Sequence, residues 1–268
     1  MNPIINLPFW ETVRRSYIYA AVNFKTFLKL ASLWLLVLTA YEILTGFPSL
    51  CNNEKGACPG IGMTSLLQSL AFILISTAYI RSLVLHRQPK WFSVSFGMPE
   101  LRYIGYALLI IAVIAVPSLL FMYTYGVVVG LLRLPQSFGL LMLLFPVIIA
   151  VYCSRLYLVL PATAVGNKDV DLRKAWNLAC GNANKIFWGL LLMTLPIVAG
   201  LIVLSVIYNL LPQDNLIIRS VIAFFWVGVT LFDAALKGSF YGHMYQYFMY
   251  WDERLPQSEN KASTINAE

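Results

Sequence analysis

Three basic residues fall where a charge held within a membrane would recognise an anion. Arg81, Arg155 and Lys237 each lie near the same end of an apolar run, 74 and 82 residues apart. Ionisable side chains inside apolar segments are costly and are the first place to look for function. Turned inward, the three would line a basic vestibule suited to a phosphate, a carboxylate or a lipid headgroup. Turned outward, they would snorkel to the interface as anchors. Asp233 stands four residues before Lys237, so these two can form an intramembrane ion pair with no ligand at all. Glu42, near the far end of the first apolar run, is expected to reach water.

Other reactive constellations are missing. The two histidines, His86 and His243, have no carboxylates at ligand spacing, which argues against a metal site or a nucleophile–base pair. Asp169-Val-Asp171 has the form of a glycosyltransferase-like metal motif, yet it also stands where a helix N-terminus attracts carboxylates. Gly56, Gly60 and Gly62 precede an apolar run without the strand that a phosphate-cradling loop needs, and so read as a turn. We therefore expect no catalytic residues, no metal and no cofactor, and a protein that is not an enzyme. Cys51 and Cys58 flank an Asn- and Gly-containing stretch and are expected to form a disulfide in an oxidising compartment, two free thiols being the alternative. Cys153 reads as a packing residue and Cys180 as a reduced thiol.

The elements that must position these residues follow from composition. Of 268 residues, 59% are hydrophobic and 12% charged, at a mean hydropathy of +0.73, where soluble domains carry roughly a quarter charged residues. The fold class expected is all-α, a polytopic membrane protein. Crossing a hydrocarbon core takes about 20 apolar residues, because all backbone polar groups must be satisfied within the segment. Six runs qualify, at about 30–46, 63–85, 101–125, 137–160, 186–211 and 217–240. Sixteen of the nineteen Lys and Arg residues fall on one side of these spans, leaving Lys55, Arg133 and Arg219 on the other. Both termini are therefore expected in the cytoplasm. No cleavable signal peptide is expected, because the first apolar run continues into a span.

The basic residues spread over four segments, which suits anionic lipid headgroups better than nucleic acid. Tyr41, Tyr123, Tyr125 and Tyr208 fall at the outer span ends, and Trp10, Trp91, Trp176, Trp188 and Trp251 near the inner ones, as interfacial anchors do.

An internal repeat organises the chain. Arg14, Arg15, Tyr17, Ala20 and Asn23 match Arg173, Lys174, Trp176, Ala179 and Asn182 in type at a spacing of 159, and Phe92 to Gly97 aligns with Trp176 to Gly181 at 84. Each stretch has the pattern of a helix lying in the interface. We expect one membrane domain over 1–255, parsed as three units of interfacial helix plus transmembrane hairpin at 8–87, 89–166 and 168–250. A disordered cytoplasmic tail is expected over 256–268. The midspan Pro117, Pro146 and Pro196 do not fall at equivalent positions; they would either break helices near the midplane or act as packing kinks.

The stretch from Ser154-Arg155 through Pro161 to Gly166, followed by Leu172-Arg-Lys-Ala-Trp176 through Gly181-Asn182 to Phe187, resembles YciC-like bacterial membrane proteins. It is also similar to the membrane domain attached to some glycerophosphodiester phosphodiesterases. The resemblance implies a polytopic helical protein of the bacterial inner membrane and supplies no catalytic residues. Phosphodiesterase chemistry would belong to a soluble portion that this sequence lacks. The expected function is non-enzymatic binding, assembly or envelope organisation through membrane lipids and a protein partner or homo-oligomer. The alternative is a transporter or lipid-handling protein that uses Arg81, Arg155 and Lys237.

Overall fold

Charge-free runs of this length satisfy their own hydrogen bonds as helices, and that is the architecture found. A computed structural model describes residues 5–45, 61–86, 97–132, 141–211 and 215–265, with side chains over 5–45, 63–86, 97–129, 144–211 and 215–250. Among these residues the order is α1 (Phe9–Val22), α2 (Phe24–Leu44), α3 (Ile61–Val84), α4 (Met98–Leu132), α5 (Leu141–Cys153), α6 (Val159–Ala164), α7 (Leu172–Leu178), α8 (Ala183–Leu210) and α9 (Leu216–Ile265). A 3-10 segment, Ser154–Leu158, joins α5 to α6. Six stretches are long and apolar enough to span a bilayer: α2, α3, α4, the run from α5 through α6, α8 and α9. The chain is a multi-pass, all-helical membrane protein.

Several boundaries differ from the sequence expectation. The first span starts at Phe24, since the only break between α1 and α2 is at Asn23, and Lys25 and Lys29 become part of the helix. Glu42 does not reach water; it is 1% exposed and packs inward. The helix α9 runs from Leu216 to Ile265. Pro117, Pro146 and Pro196 lie inside continuous helices and break none of them. The discontinuity in the fourth span comes instead from Pro161. It has no N–H to offer the Tyr157 carbonyl one turn back, and its ring crowds that carbonyl, so the preceding residues tighten into the 3-10 segment. The Cys51–Cys58 pair and most of the second interfacial stretch, 92–96, lie outside the described residues.

The core gathers around α9, which packs on α1, α2, α3, α6 and α8. Phe240, Met244 and Phe248 are fully buried between α8, the 3-10 segment and α1, while Val227, Leu231 and Ala234 meet Phe27, Leu35 and Ile75 from α2 and α3. Without a hydrophobic drive between helices in lipid, close approach supplies the packing. At Gly238 an added Cβ would come within 3.2 Å of the Ser76 carbonyl oxygen on α3, and at Gly189 within 2.3 Å of the Phe240 ring. By contrast α4 is held mainly by α5 and α6, and only 11% of its most apolar stretch is buried. Leu108, Val116, Leu119 and Leu120 consequently face outward.

Candidate functional site

The three span cations are each engaged by the protein itself. At the end of α3, Arg81 donates through Nε to the Ala164 carbonyl at 2.6 Å and through Nη1 to Glu100 Oε1 at 2.5 Å. Ala164 closes α6, so the guanidinium satisfies one of the orphan carbonyls there. Glu100 is 1% exposed, and its other oxygen accepts from the Gly97 amide at 2.9 Å. One carboxylate thus caps α4 and neutralises Arg81, tying α3, α4 and α6 together. Sequence reading passed over Glu100; the signal was its place three residues after Gly97 at a helix start.

Arg155 rides on the 3-10 segment between two rings, its guanidinium carbon 5.0 Å from the Tyr152 centroid and 5.2 Å from that of Trp176. Those rings meet edge to face at 4.9 Å, and Arg155 Nη1 points at Cys180 Sγ, 4.0 Å away. The arrangement fastens α7 to the fourth span by cation–π contact. Lys237 Nζ donates to Asp233 Oδ2 at 2.6 Å on the same helix and lies 5.5 Å from the Phe72 ring. Arg81, Arg155 and Lys237 therefore have separate neighbours and do not gather into one basic site, while Asp233 and Lys237 meet as an ion pair. Asp171 spends its carboxylate on the Lys174 amide at 2.7 Å as the cap of α7, while Asp169 is exposed. Cys153 is buried and Cys180 exposed, both as free thiols.

A second polar centre went unnoticed in the sequence beyond its place in the repeat. Asn182, fully buried at the start of α8, accepts from the Leu7 amide at 2.9 Å and donates to the Ile5 carbonyl at 2.5 Å. Lys185 donates to Asn6 Oδ1 and to the Leu7 carbonyl, and the Tyr247 hydroxyl donates to the Asn6 carbonyl at 3.0 Å. The extended residues 5–8 are thereby strapped across the ends of α8 and α9. Next along the chain, the Tyr17 hydroxyl of α1 donates to the Leu192 carbonyl at 2.5 Å, and burial pushes this phenol above its usual 10.0. Ser239 adds a donation to the Ser16 carbonyl at 3.1 Å. Inward, α1 presents Thr12, Val13, Ser16 and Ala20; outward it leaves Trp10, Ile18 and Val22. A helix docked by its small face and exposing large apolar residues beside Arg14 suits the headgroup boundary.

Among the described residues, clefts open at the surface. One, of about 580 Å³, lies between α1, α2, α8 and α9 and is lined almost wholly by apolar groups, among them Phe27, Leu35, Pro196 and Phe225. Another, of about 660 Å³, separates the first turns of α4 from the α6–α7 connection and includes Arg102 and Lys168. No family model, curated protein or solved structure matches the chain. The arrangement itself must therefore carry any reading of function.

Proposed function

We propose that this protein works by binding and not by catalysis, as a bacterial inner-membrane component that organises lipid or partner subunits in the envelope, with both termini in the cytoplasm. The observation that carries this reading is that the protein engages its own span charges: Arg81 with Glu100 and the end of α6, Lys237 with Asp233, and Arg155 with two aromatic rings, though its buried Nε makes no hydrogen bond among the described residues. Charges spent on contacts within the protein hold a scaffold together, whereas a transport site needs charges left for its cargo. A largely apolar cleft between α1, α2, α8 and α9, together with a docked α1 that exposes apolar residues, suits contacts made in the plane of the bilayer. The repeat in which Asn23 and Asn182 each stand between a short helix and the following span points the same way.

The test is native mass spectrometry of the protein ejected directly from its membrane. The expected result is retained lipid or a second polypeptide. A bare monomer, or solute flux in proteoliposomes that Arg81→Gln abolishes, would overturn the reading.

A further inference from the structure

We propose that the cleft between the start of α4 and the α6–α7 connection holds the headgroup end of an anionic glycerophospholipid, the phosphate between Arg102 and Lys168 and an acyl chain along Gly105, Tyr106 and Leu109. This rests on the binding reading above and names a ligand class for it.

The cleft has the charge layout of such a lipid. Arg102 and Lys168 stand among its lining residues together with Tyr106, Leu109 and Val170, and among the described residues no carboxylate lines it. Asp169 is the neighbouring residue to Lys168 and is exposed beside the cleft. Unlike Arg81, Lys185 and Lys237, which are held by protein acceptors, Arg102 and Lys168 have no partner among the described residues and are exposed. Polar and apolar parts are ordered along α4: from Arg102 to Leu109 the helix rises about 10 Å, so the cations sit at the boundary end and the apolar wall runs into the span.

The two walls are also empty where a ligand would lie. A Cβ added at Gly105 on α4, or at Gly166 opposite, would meet nothing within 4 Å. Gly166 has φ +82°, a conformation that glycine adopts without strain, and it ends α6 with the Asn167 amide donating back to the Ala162 carbonyl at 2.9 Å. Asn167 is then fixed by its own amide, which donates to the Tyr245 hydroxyl at 2.8 Å. The loop is thus held in place with Lys168 facing the start of α4 across the opening. At about 660 Å³ the space lies within the usual range of roughly 300–1,000 Å³ for small-molecule sites. A membrane protein meets phospholipid at this level at all times, and anionic headgroups are drawn to cationic residues near the surface.

The experiment titrates the detergent-solubilised full chain with phosphatidylglycerol and with phosphatidylcholine of the same acyl composition, read by native mass spectrometry. A near-surface cation strengthens anionic lipid binding roughly fivefold, so wild type should prefer phosphatidylglycerol by about thirtyfold. Arg102→Gln with Lys168→Gln should abolish that preference, and the charge-conserving Arg102→Lys with Lys168→Arg should keep it. Gly105→Leu should weaken both lipids by filling the apolar wall. The proposal is overturned if the neutral double variant, unfolding at the wild-type temperature, keeps the preference. It is equally overturned if inorganic phosphate displaces phosphatidylglycerol while Gly105→Leu has no effect, the signature of a soluble-anion site. Solute flux in proteoliposomes would sink the binding reading and is read independently of the lipid titration, so the two failures are distinguishable.

Discussion

Replacing Arg81 with Gln separates a structural charge from a ligand-binding one. The substitution removes the cation 2.5 Å from Oε1 of Glu100, whose side chain is 2% exposed, and also removes the donor to the Ala164 carbonyl. Breaking a buried ion pair from one side costs about 3–5 kcal/mol. Since 19% of the Arg81 side chain reaches the surface, the lower end applies, about 3 kcal/mol. Glu100→Gln retains an oxygen for the Gly97 amide and leaves a guanidinium with some access to solvent, so the expected loss is smaller, about 1–2 kcal/mol. The double variant should lose less than the sum of the singles by about 1–2 kcal/mol, the coupling of groups in direct contact. Denaturant titration in detergent micelles, followed by tryptophan fluorescence and by resistance to protease, measures all four corners of the cycle. An Arg81→Gln protein as stable as wild type would refute the argument, and one that had also lost anion binding would restore the vestibule.

Three further outcomes follow from the same packing. Gly189→Ala should destabilise by about 1–3 kcal/mol, because its Cβ would fall 2.3 Å from the fully buried Phe240 ring; adding Phe240→Leu should recover part of the loss in the same denaturant titration. Asn182→Ala strands the Leu7 amide and the Ile5 carbonyl, and hydrogen exchange should show residues 5–8 losing protection while the middle of α9 keeps it. Tyr17 has a raised folded-state pKa, so its contribution is fully present below its unfolded value near 10 and is lost as pH rises through the folded value. Tyr17→Phe should flatten the fall in stability above pH 10, and an unchanged alkaline slope would show that Tyr17 does not cause it.

Spans were legible in the sequence because one requirement, internal satisfaction of the backbone in hydrocarbon, leaves a signal about 20 residues long. Asp233 and Lys237 were legible as neighbours because four residues make one helical turn. The start of α2 was misjudged because lysines ordinarily end a span, whereas the Lys25 and Lys29 helix is continuous with the apolar run. The partner of Arg81 was out of reach because it depends on how α3 packs beside α4, which spacing along the chain does not encode. The same holds for Arg102 and Lys168: 66 residues apart, they were counted as topology signal and become a pair only when α6 turns at Gly166. Asn182 carried a hint in its match to Asn23, but similarity in type gave no indication of a strap closing from the far end of the chain.

That strap has a bearing on how the protein is made. Leu7 waits for Asn182, 175 residues downstream; at translation rates of roughly 5–20 residues per second this is about 9–35 s after Leu7 is synthesised. During that interval residues 5–7 lack their partners Asn182, Lys185 and Tyr247, and they latch only once α8 has begun to emerge. Residues 5–8 are thus among the last parts to dock, and an insertion beside them would tax assembly before it disturbed the finished molecule.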